Sequence, residues 1–283
     1  MIMTQENNKI NPDAQSLQMA VSHSTVFHGD CLEIMKSIPD RSVDMILCDL
    51  PYGTTACKWD IVIPFDKLWK QYERIIKPNG AIVLTASQPF TTELINSKRT
   101  LFRYEMIWAK NMPTGAFNAN KMPMKSHENV LVFYKSLPTY NPQKTKRTEK
   151  ELKRFMKEPI VTKIENSVYG SFDRTVLGRD AEMKNPNSLL LFDVVNGRSG
   201  DKQPHPTQKP VALFEYLIKT YTNEGDIVLD NCAGSGTTGI ACINTNRNYI
   251  LIEKEKQYFD IINERIDKYK QSRVGEFSFE NQS

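Results

Sequence analysis

Strand-length apolar runs alternate with helical patterns along most of this 283-residue chain. Residues 24–30 (STVFHGD), 42–49 (SVDMILCD) and 80–87 (GAIVLTAS) have the length and composition of buried strands. Residues 65–76 (FDKLWKQYERII) carry apolar side chains at helical spacing, and the KPNG that follows indicates a turn. Parallel strands need crossover connections, usually helices. The alternation therefore predicts an α/β fold with a mostly parallel sheet and helices on both faces.

The alternation stops between residues 137 and 203, which are rich in Lys, Asn, Pro, Ser and Gly. It resumes at VALFEYLIKTYT with a helix, strand, helix, strand and closing helix. We therefore predict a sheet domain in two halves, 24–136 and 204–272, with an inserted lobe at 137–203. The polar residues 1–20 are predicted to be a disordered tail, and the chain beyond Ser272 is predicted to be loose.

Composition excludes some classes of protein. No apolar run reaches the roughly 18 residues of a membrane helix, and the N-terminus lacks a signal-peptide core, so we expect a cytoplasmic protein that makes no membrane contact. The five cysteines form no CxxC pair, so neither a metal site nor disulfides are expected. Residues 141–163 contain eight Lys or Arg against three Glu, although the whole chain carries only +4. Such a strip attracts a phosphate backbone, and a solvated helix is the alternative explanation.

Acidic or hydroxyl side chains follow most of the predicted strands. They are Asp30, Asp49, Ser87, Asp230 and Glu253. In open α/β sheets, ligands bind at the carboxyl ends of the strands. This concentration of polar groups therefore predicts a site at that edge.

A glycine-rich loop lies between a predicted strand and helix in residues 226–239, DIVLDNCAGSGTTG. Gly234, Gly236 and Gly239 fit G-x-G-x-x-G, and Glu253 lies 19 residues after Gly234 at the end of the next strand. The pattern fits NAD, whose ribose the acid would bind, and it also fits S-adenosyl-L-methionine (SAM). Asp230, just before the loop, favours SAM because it would repel a pyrophosphate but attract the amino end of methionine. A merely structural βα turn is the third alternative.

Two stretches together are similar to motifs of the DNA amino-methyltransferases. DLPY at 49–52 resembles the DPPY motif of that family, with Leu50 in place of the first proline. DNCAGSGTT at 230–238 resembles the family's D-x-F-x-G-S-G-T-T loop, with Cys232 where phenylalanine is usual. The missing proline leaves the backbone carbonyl in place, whereas the missing phenylalanine removes an aromatic wall from the cofactor pocket.

Two further segments resemble the same family. HPTQKP at 205–210 resembles its HPTxKP segment, and FHGDCLEIM at 27–35 resembles a strand-end Gly-Asp segment. The order of catalytic motif, recognition region and SAM loop resembles the permuted beta class, and the resemblance covers residues 24–270. It implies a Rossmann-like SAM-dependent methyltransferase sheet, with the inserted lobe as the target-recognition region.

The resemblance implies roles for the DLPY residues. The Asp49 carboxylate and the carbonyl of Leu50 or Pro51 would hold the two N–H groups of a target amine, and Tyr52 would stack on an extruded base. Methyl transfer would then be direct, with no covalent enzyme intermediate. Asp49 as an Asx-turn residue and Tyr52 as a core residue are the alternatives.

The cofactor would be held mainly by the glycine loop, namely Asp230, Cys232, Ala233, Gly234, Ser235, Gly236 and Thr237. Glu253 would bind the ribose, and Asp30 would accept a hydrogen bond from the adenine of SAM unless it only caps the following helix. His205 and Lys209 would line the methionine end, or else fix the start of a helix.

The implied substrate is adenine N6 in double-stranded DNA, because family members that act on cytosine N4 usually begin the motif with serine. Cytosine N4 is the first alternative, followed by RNA or a protein amide. An NAD-dependent oxidoreductase and an inactive DNA-binding module are the alternatives from other classes. The resemblance allows a homodimer. Segment 111–125 is a candidate loop over the target base, and candidate DNA contacts in the inserted lobe are Tyr169, Phe172, Arg174 and Arg179.

Overall fold

The protein is described by a computed structural model. It describes residues 24–55, 57, 59–157, 163–166, 170–173, 180–195 and 208–280. The tail predicted for residues 1–20 lies outside these ranges. Within them, no helix combines the length and the apolar character that crossing a membrane requires.

The strands and helices follow in chain order. The first part of the chain forms β1 (Thr25–His28), α1 (Cys31–Ile34), β2 (Val43–Asp49), α2 (Phe65–Ile75), β3 (Ile76–Ala86), α3 (Phe90–Ser97), β4 (Phe102–Thr114) and β5 (Lys125–Phe133). The middle part forms β6 (Thr145–Lys146), α4 (Glu149–Lys157), β7 (Lys163–Asn166), β8 (Gly170–Asp173), β9 (Met183–Lys184) and β10 (Leu189–Leu191). The last part forms α5 (Val211–Tyr221), β11 (Ile227–Asp230), α6 (Thr237–Asn244), β12 (Asn248–Glu253) and α7 (Lys256–Glu280).

One eight-stranded sheet has the order β1-β12-β11-β2-β3-β5-β4-β10. All neighbouring strands are parallel except that β5 runs antiparallel to both β3 and β4. The prediction of an α/β fold with a mostly parallel sheet is confirmed. Because β5 is reversed, its first residues lie at the edge where the parallel strands end, and Thr85 of β3 pairs with both Asp49 and Val130.

Helices cover both faces of the sheet, as the sequence predicts. On β2, Ile46 and Cys48 belong to a core that also contains residues of α2 and α3. Met45 and Leu47 point to the other face and belong to a second core, built with α5, α6 and α7. A central strand buried on both faces needs a continuous apolar run, which is the reason that VDMILC shows no polar alternation.

Residues Pro142–Asn187 form a compact unit of their own, separate from the unit formed by the chain before and after them. Inside it, β6 pairs with β9 and β7 pairs with β8, both antiparallel. Helix α4 begins with a reciprocal cap, in which the Thr148 N–H donates to Glu151 Oε2 and the Glu151 N–H donates to Thr148 Oγ1. The predicted division at 137 and 203 stays a prediction, because residues 196–207 lie outside the described ranges.

Two local predictions are wrong. KPNG is not a turn between two elements, because it lies within β3. The pairing of β3 with β2 jumps there from Val43–Ile76 to Met45–Ala81, so the extra residues of β3 form a bulge. The chain beyond Ser272 is not loose, because α7 continues to Glu280. Segment 111–125 is only partly a loop, since β4 extends to Thr114 and β5 begins at Lys125.

Candidate active site

A cavity of about 380 Å³ opens at the carboxyl ends of the parallel strands. It brings together most residues that the sequence predicts for the site: Asp30, Asp49, Leu50, Pro51, Tyr52, Lys209, Asp230, Cys232, Ala233, Gly234, Ser235, Thr237 and Glu253. Gly236 lies in the same loop at the start of α6. His205 lies outside the described residues. Ligand pockets of small molecules have a similar size.

The Asp49 carboxylate is the centre of a polar network at the end of β2. Its Oδ1 accepts hydrogen bonds from Tyr52 Oη at 2.7 Å and from the Thr85 hydroxyl of the next strand. Its Oδ2 accepts from Lys209 Nζ at 2.5 Å. The carboxylate is therefore fixed by partners from three parts of the chain, beyond what a local Asx turn would require.

The Tyr52 ring is held on one side by the first core. It stacks on Phe90 with ring centroids 5.1 Å apart and an angle of 25° between the planes. Burial, followed by the nearby Asp49 and Glu128 carboxylates, raises the pKa of the Tyr52 hydroxyl well above its usual value. The hydroxyl therefore stays a donor to Asp49 over the physiological pH range. Tyr52 is only half-buried, so it is neither a pure core residue nor a free surface ring.

Lys209 lies with the catalytic motif, although the sequence grouped it with the cofactor residues. It is 7% exposed, and its ammonium also lies 3.4 Å from Glu128 Oε2. Glu128 in turn forms an ion pair with Lys110 through its other oxygen. Burial acts to lower the pKa of Lys209, but the carboxylates of Asp49 and Glu128 outweigh burial and raise it. Lys209 is therefore a charged residue inside the site.

Asp60 organises the turn that follows DLPY. Its carboxylate accepts the backbone N–H groups of Gly53 at 2.9 Å, Thr54 at 2.9 Å and Thr55 at 2.7 Å. Burial acts to raise the pKa of Asp60, but these donors outweigh it and lower the pKa below the usual 3.8. Gly53 has φ of +68°, a conformation that favours glycine. The turn that directly follows Tyr52 therefore has a defined shape.

The glycine loop joins β11 to α6 by two left-handed residues. Gly234 has φ of +53° and Gly236 has φ of +79°. The Gly234 N–H donates to Glu253 Oε2 at 2.8 Å, so the residue that ends β12 fixes the position of the loop. Burial raises the pKa of Glu253. A side chain at Gly236 would also approach Ile262 of α7 to 3.1 Å, so glycine is required by both the conformation and the packing.

Asp230 is the buried acid of the loop, with an exposure of 3%. Its Oδ1 accepts the Cys232 N–H at 3.1 Å, and its Oδ2 accepts the Thr238 hydroxyl at 2.5 Å. Burial raises the pKa of Asp230 to about 6, against the lowering effect of these donors. The Cys232 thiol is in contact with the thiols of Cys31 and Cys48. Its pKa is raised well above the usual value, first by the contact with Cys31, next by the contact with Cys48, and also by burial. Three thiols thus pack together beside the cavity, at the position where phenylalanine is usual.

Asp30 caps helix α1, which is the alternative that the sequence left open. Its Oδ1 accepts the Leu32 N–H at 2.9 Å, and its Oδ2 lies 3.7 Å from Lys254 Nζ. The residue also lines the cavity, so a contact with a cofactor stays a prediction alongside the cap.

The structure adds residues that sequence reasoning missed. They are Glu128, Lys110, Thr85 and Asp60. Glu128 opens the apolar run of β5, and only knowledge that this strand is antiparallel would have placed it at the site edge. Of the candidate DNA contacts, Phe172 lies in β8, and Tyr169, Arg174 and Arg179 lie outside the described residues. In the described part of the chain, no group of His, Cys, Asp or Glu is arranged to hold a metal ion, and metal-free chemistry stays a prediction.

Comparisons with known proteins show which sequences and folds the chain is similar to. The sequence profile of a family described as DNA methylase matches residues 43–264. The Type II methyltransferase M.HpaI of Haemophilus parainfluenzae is 27% identical over 251 residues, which cover 84% of this chain and 73% of that protein. The DNA adenine methyltransferase YhdJ of Escherichia coli is 28% identical over 258 residues, which cover 86% and 82%.

Solved structures show the same likeness. The crystal structure of the M1.HpyAVI–SAM complex superposes with a TM-score of 0.56 at 28% identity, covering 86% of this chain and 98% of that one. The cytosine-N4-specific PvuII DNA methyltransferase superposes with a TM-score of 0.59, covering 87% and 91%. Its identity of 17% supports a shared fold alone.

Proposed function

The chain belongs to the DNA methylase family of amino-methyltransferases, and from this premise we propose that it methylates the N6 amino group of adenine in duplex DNA. S-adenosyl-L-methionine is the cofactor of this family. One observation carries the proposal: Asp49, Leu50, Pro51 and Tyr52 line the same cavity as the glycine loop, and the Tyr52 hydroxyl donates to the Asp49 carboxylate. Family membership sets aside the NAD-dependent oxidoreductase.

The residues of the cavity fit S-adenosyl-L-methionine. Glu253 lies at the end of β12 as an acceptor for ribose hydroxyls, and the buried Asp230 provides negative charge for the amino end of methionine. The left-handed Gly234 and Gly236 let the backbone approach the cofactor closely. The group supplies a methyl on a positively charged sulfur, which is an electrophile.

The chain's own part is to prepare the amine. The lone pair of an exocyclic amino group is delocalised into the ring, so the nitrogen is a poor nucleophile. Asp49 Oδ2 and the carbonyl of Pro51 or Leu50 would accept the two N–H groups, and these hydrogen bonds would turn the lone pair out of the ring plane. As the amine took the methyl group and the sulfur–methyl bond broke to leave a neutral thioether, the nitrogen would gain positive charge, and the Asp49 carboxylate would stabilise that charge until the nitrogen lost a proton. Much of the acceleration would come from positioning.

The target base must leave the duplex to reach this site. Tyr52 supports the proposal of base extrusion because one face of its ring is already packed on Phe90, so the ring is a rigid stacking surface. The basic residues 141–163 suit the phosphates of duplex DNA. A homodimer is compatible with the family and belongs to the same proposal.

Asp49 favours adenine over cytosine N4, because the cytosine-N4 members of the family usually have serine at that position. The experiment is methyl transfer from isotopically labelled S-adenosyl-L-methionine to unmethylated genomic DNA, with mass spectrometry of the released nucleosides. N6-methyladenine is the expected product. N4-methylcytosine would refute the choice of base, and labelled RNA or protein without labelled DNA would refute the choice of substrate.

The matched variant is Asp49→Ala. We expect it to lose methyl transfer while it binds S-adenosyl-L-methionine about as tightly as the wild type, because the hydrogen-bond partners of Asp49 are Lys209, Tyr52 and Thr85 and none of them belongs to the glycine loop. Calorimetric titration of the cofactor checks binding. Wild-type transfer rates in Asp49→Ala would contradict the assignment of Asp49.

A further inference from the structure

The two oxygens of Asp49 have different partners. Oδ1 is filled by two hydroxyl donors, Tyr52 at 2.7 Å and Thr85. Oδ2 accepts the ammonium of Lys209 at 2.5 Å. An amino group that approaches Asp49 would therefore bind at Oδ2, the oxygen that Lys209 already uses.

Lys209 also lies near the Tyr52 ring, on which a target base would stack. Its Nζ is 5.8 Å from the centroid of the Tyr52 ring. An ammonium has N–H donors and no acceptor, so toward a carboxylate it presents the same kind of group as an exocyclic amine. The side chain is 7% exposed, and burying a charge is costly unless the charge is paired. Lys209 therefore cannot leave Asp49 without another anionic partner.

Glu128 provides that partner. Its Oε1 is bound by Lys110, whereas Oε2 is buried and lacks a hydrogen-bond partner within the described residues. Lys209 Nζ already lies 3.4 Å from this oxygen. A movement of about 0.5 Å would bring the pair to an ordinary hydrogen-bond distance, and a movement of about 1 Å or more away from Asp49 would also take Nζ out of hydrogen-bond range of Oδ2. The unsatisfied oxygen is thus placed to receive Lys209.

We propose that Lys209 is a positioning residue that occupies the amine-binding oxygen of Asp49 and moves onto Glu128 Oε2 when the target amino group enters. This inference rests on the proposed function. Before the base arrives, Lys209 keeps the carboxylate oriented and paired. When the base arrives, no charge is left alone, because one donor replaces another on Asp49 and the displaced ammonium remains paired with Glu128.

The experiment measures how much the target amino group adds to DNA binding. Two duplexes carry the recognition sequence, found first by mapping the methylated base, with either adenine or purine at the target position. Purine lacks the amino group. Their dissociation constants are measured by fluorescence anisotropy with S-adenosylhomocysteine present, so that no transfer occurs. The difference in base pairing between the two duplexes is the same for every variant, so only changes in the adenine-over-purine preference between variants are interpreted.

The variants are expected to act in opposite directions. Glu128→Gln removes the anion that receives Lys209, so the preference for adenine should fall about 5-fold, the effect of one hydrogen bond of about 1 kcal/mol. The double variant Lys209→Met with Glu128→Gln removes both the competing ammonium and the carboxylate that would receive it, so Asp49 Oδ2 is open to the target amine and the preference should rise about 5-fold above wild type. A purely structural role of either residue would weaken both duplexes equally. An unchanged preference in either variant, or a fall in both variants, would overturn the proposal.

Lys98→Met is the matched control for lost positive charge, because Lys98 forms an ion pair with Glu73 and does not line the cavity. It should leave the adenine preference unchanged. If a variant fails to fold, a crystal structure of the wild type with target duplex and S-adenosylhomocysteine provides the second test. We expect Lys209 Nζ on Glu128 Oε2 there, and Lys209 still bound to Asp49 Oδ2 beside the bound base would refute the exchange. Absence of any DNA methylation by the wild type would refute the proposed function instead.

Discussion

Asp230→Asn should stabilise the empty protein while it weakens cofactor binding. Asp230 is 3% exposed, and burial raises its pKa to about 6 from the usual 3.8. Asparagine has the same shape and keeps an oxygen acceptor for the Cys232 N–H, and the Thr238 hydroxyl can turn to accept from the new amide. The substitution therefore removes a buried charge and keeps the local hydrogen bonds.

The magnitude follows from the two pKa values. In the unfolded chain Asp230 ionises near 3.8, whereas in the folded protein it ionises near 6. Between these values the folded state binds more protons than the unfolded state, so the free energy of unfolding falls as pH rises. Because one pKa unit corresponds to about 1.4 kcal/mol, ionisation of Asp230 costs about 3 kcal/mol at pH 7 and above. That penalty is absent below pH 3.8.

Urea unfolding of wild type and Asp230→Asn between pH 4 and pH 8 measures this difference. The variant should be more stable at pH 8 by about 3 kcal/mol, and the gap should close toward pH 4. Asp260→Asn is the matched control: Asp260 pairs with Lys256 on the surface with 59% of its side chain exposed, and exposed pairs contribute little. A gap that does not change with pH, or a variant less stable than wild type at pH 8, would refute the reasoning.

The same variant has a second measurable consequence. If Asp230 faces the amino end of methionine, the bound cofactor supplies the positive charge that the buried carboxylate lacks. Saturating S-adenosyl-L-methionine should then stabilise the wild type more than Asp230→Asn at pH 8, and the variant should bind it at least 10-fold more weakly. Equal binding by both proteins would show that Asp230 serves the loop alone.

Three further substitutions test the turn and the loop. Tyr52→Phe removes the hydroxyl that donates to Asp49 but keeps the ring, so single-turnover methylation should slow about 10-fold while DNA binding is retained. A wild-type rate of methylation would contradict the role of the hydroxyl. Asp60→Ala releases three backbone N–H groups, and it should reduce the free energy of unfolding by about 2 kcal/mol in urea titrations and lower the methylation rate. Unchanged stability would show that water replaces the carboxylate fully. Gly236→Ala puts a side chain at a residue with φ of +79° and close to Ile262, so it should reduce the free energy of unfolding by about 1–2 kcal/mol. It should also weaken cofactor binding in calorimetric titrations, whereas a wild-type affinity would mean that the loop adapts.

Local patterns predicted much of the sheet domain. The run VDMILC predicted a central strand, and the spacing of Leu68, Trp69, Tyr72 and Ile75 predicted the helix α2. The ends were less predictable. The polar composition after Ser272 indicated a loose terminus, whereas α7 continues. KPNG has the composition of a turn, yet pairing with β2 on either side of it keeps those residues in β3.

The amino-acid sequence alone determined which chemistry the chain offers. Three features are local patterns: Asp49 and Tyr52 in a short turn, the glycine loop, and Glu253 after a strand. The residues of each pattern are close in sequence, so the chemistry that each offers can be recognised from the sequence. These patterns also determined that the groups meet, because strand ends of a parallel sheet share one edge.

Only the tertiary structure decided how the groups are paired. Lys209 follows Asp49 by 160 residues in the sequence. Glu128 lies at the site because β5 is antiparallel to the strands beside it. Strand direction and the direction of a long side chain depend on packing between distant segments, and no local pattern specifies either. The buried ammonium between two carboxylates is therefore a property of the folded chain, with each charge stabilised by a partner that the sequence places far away.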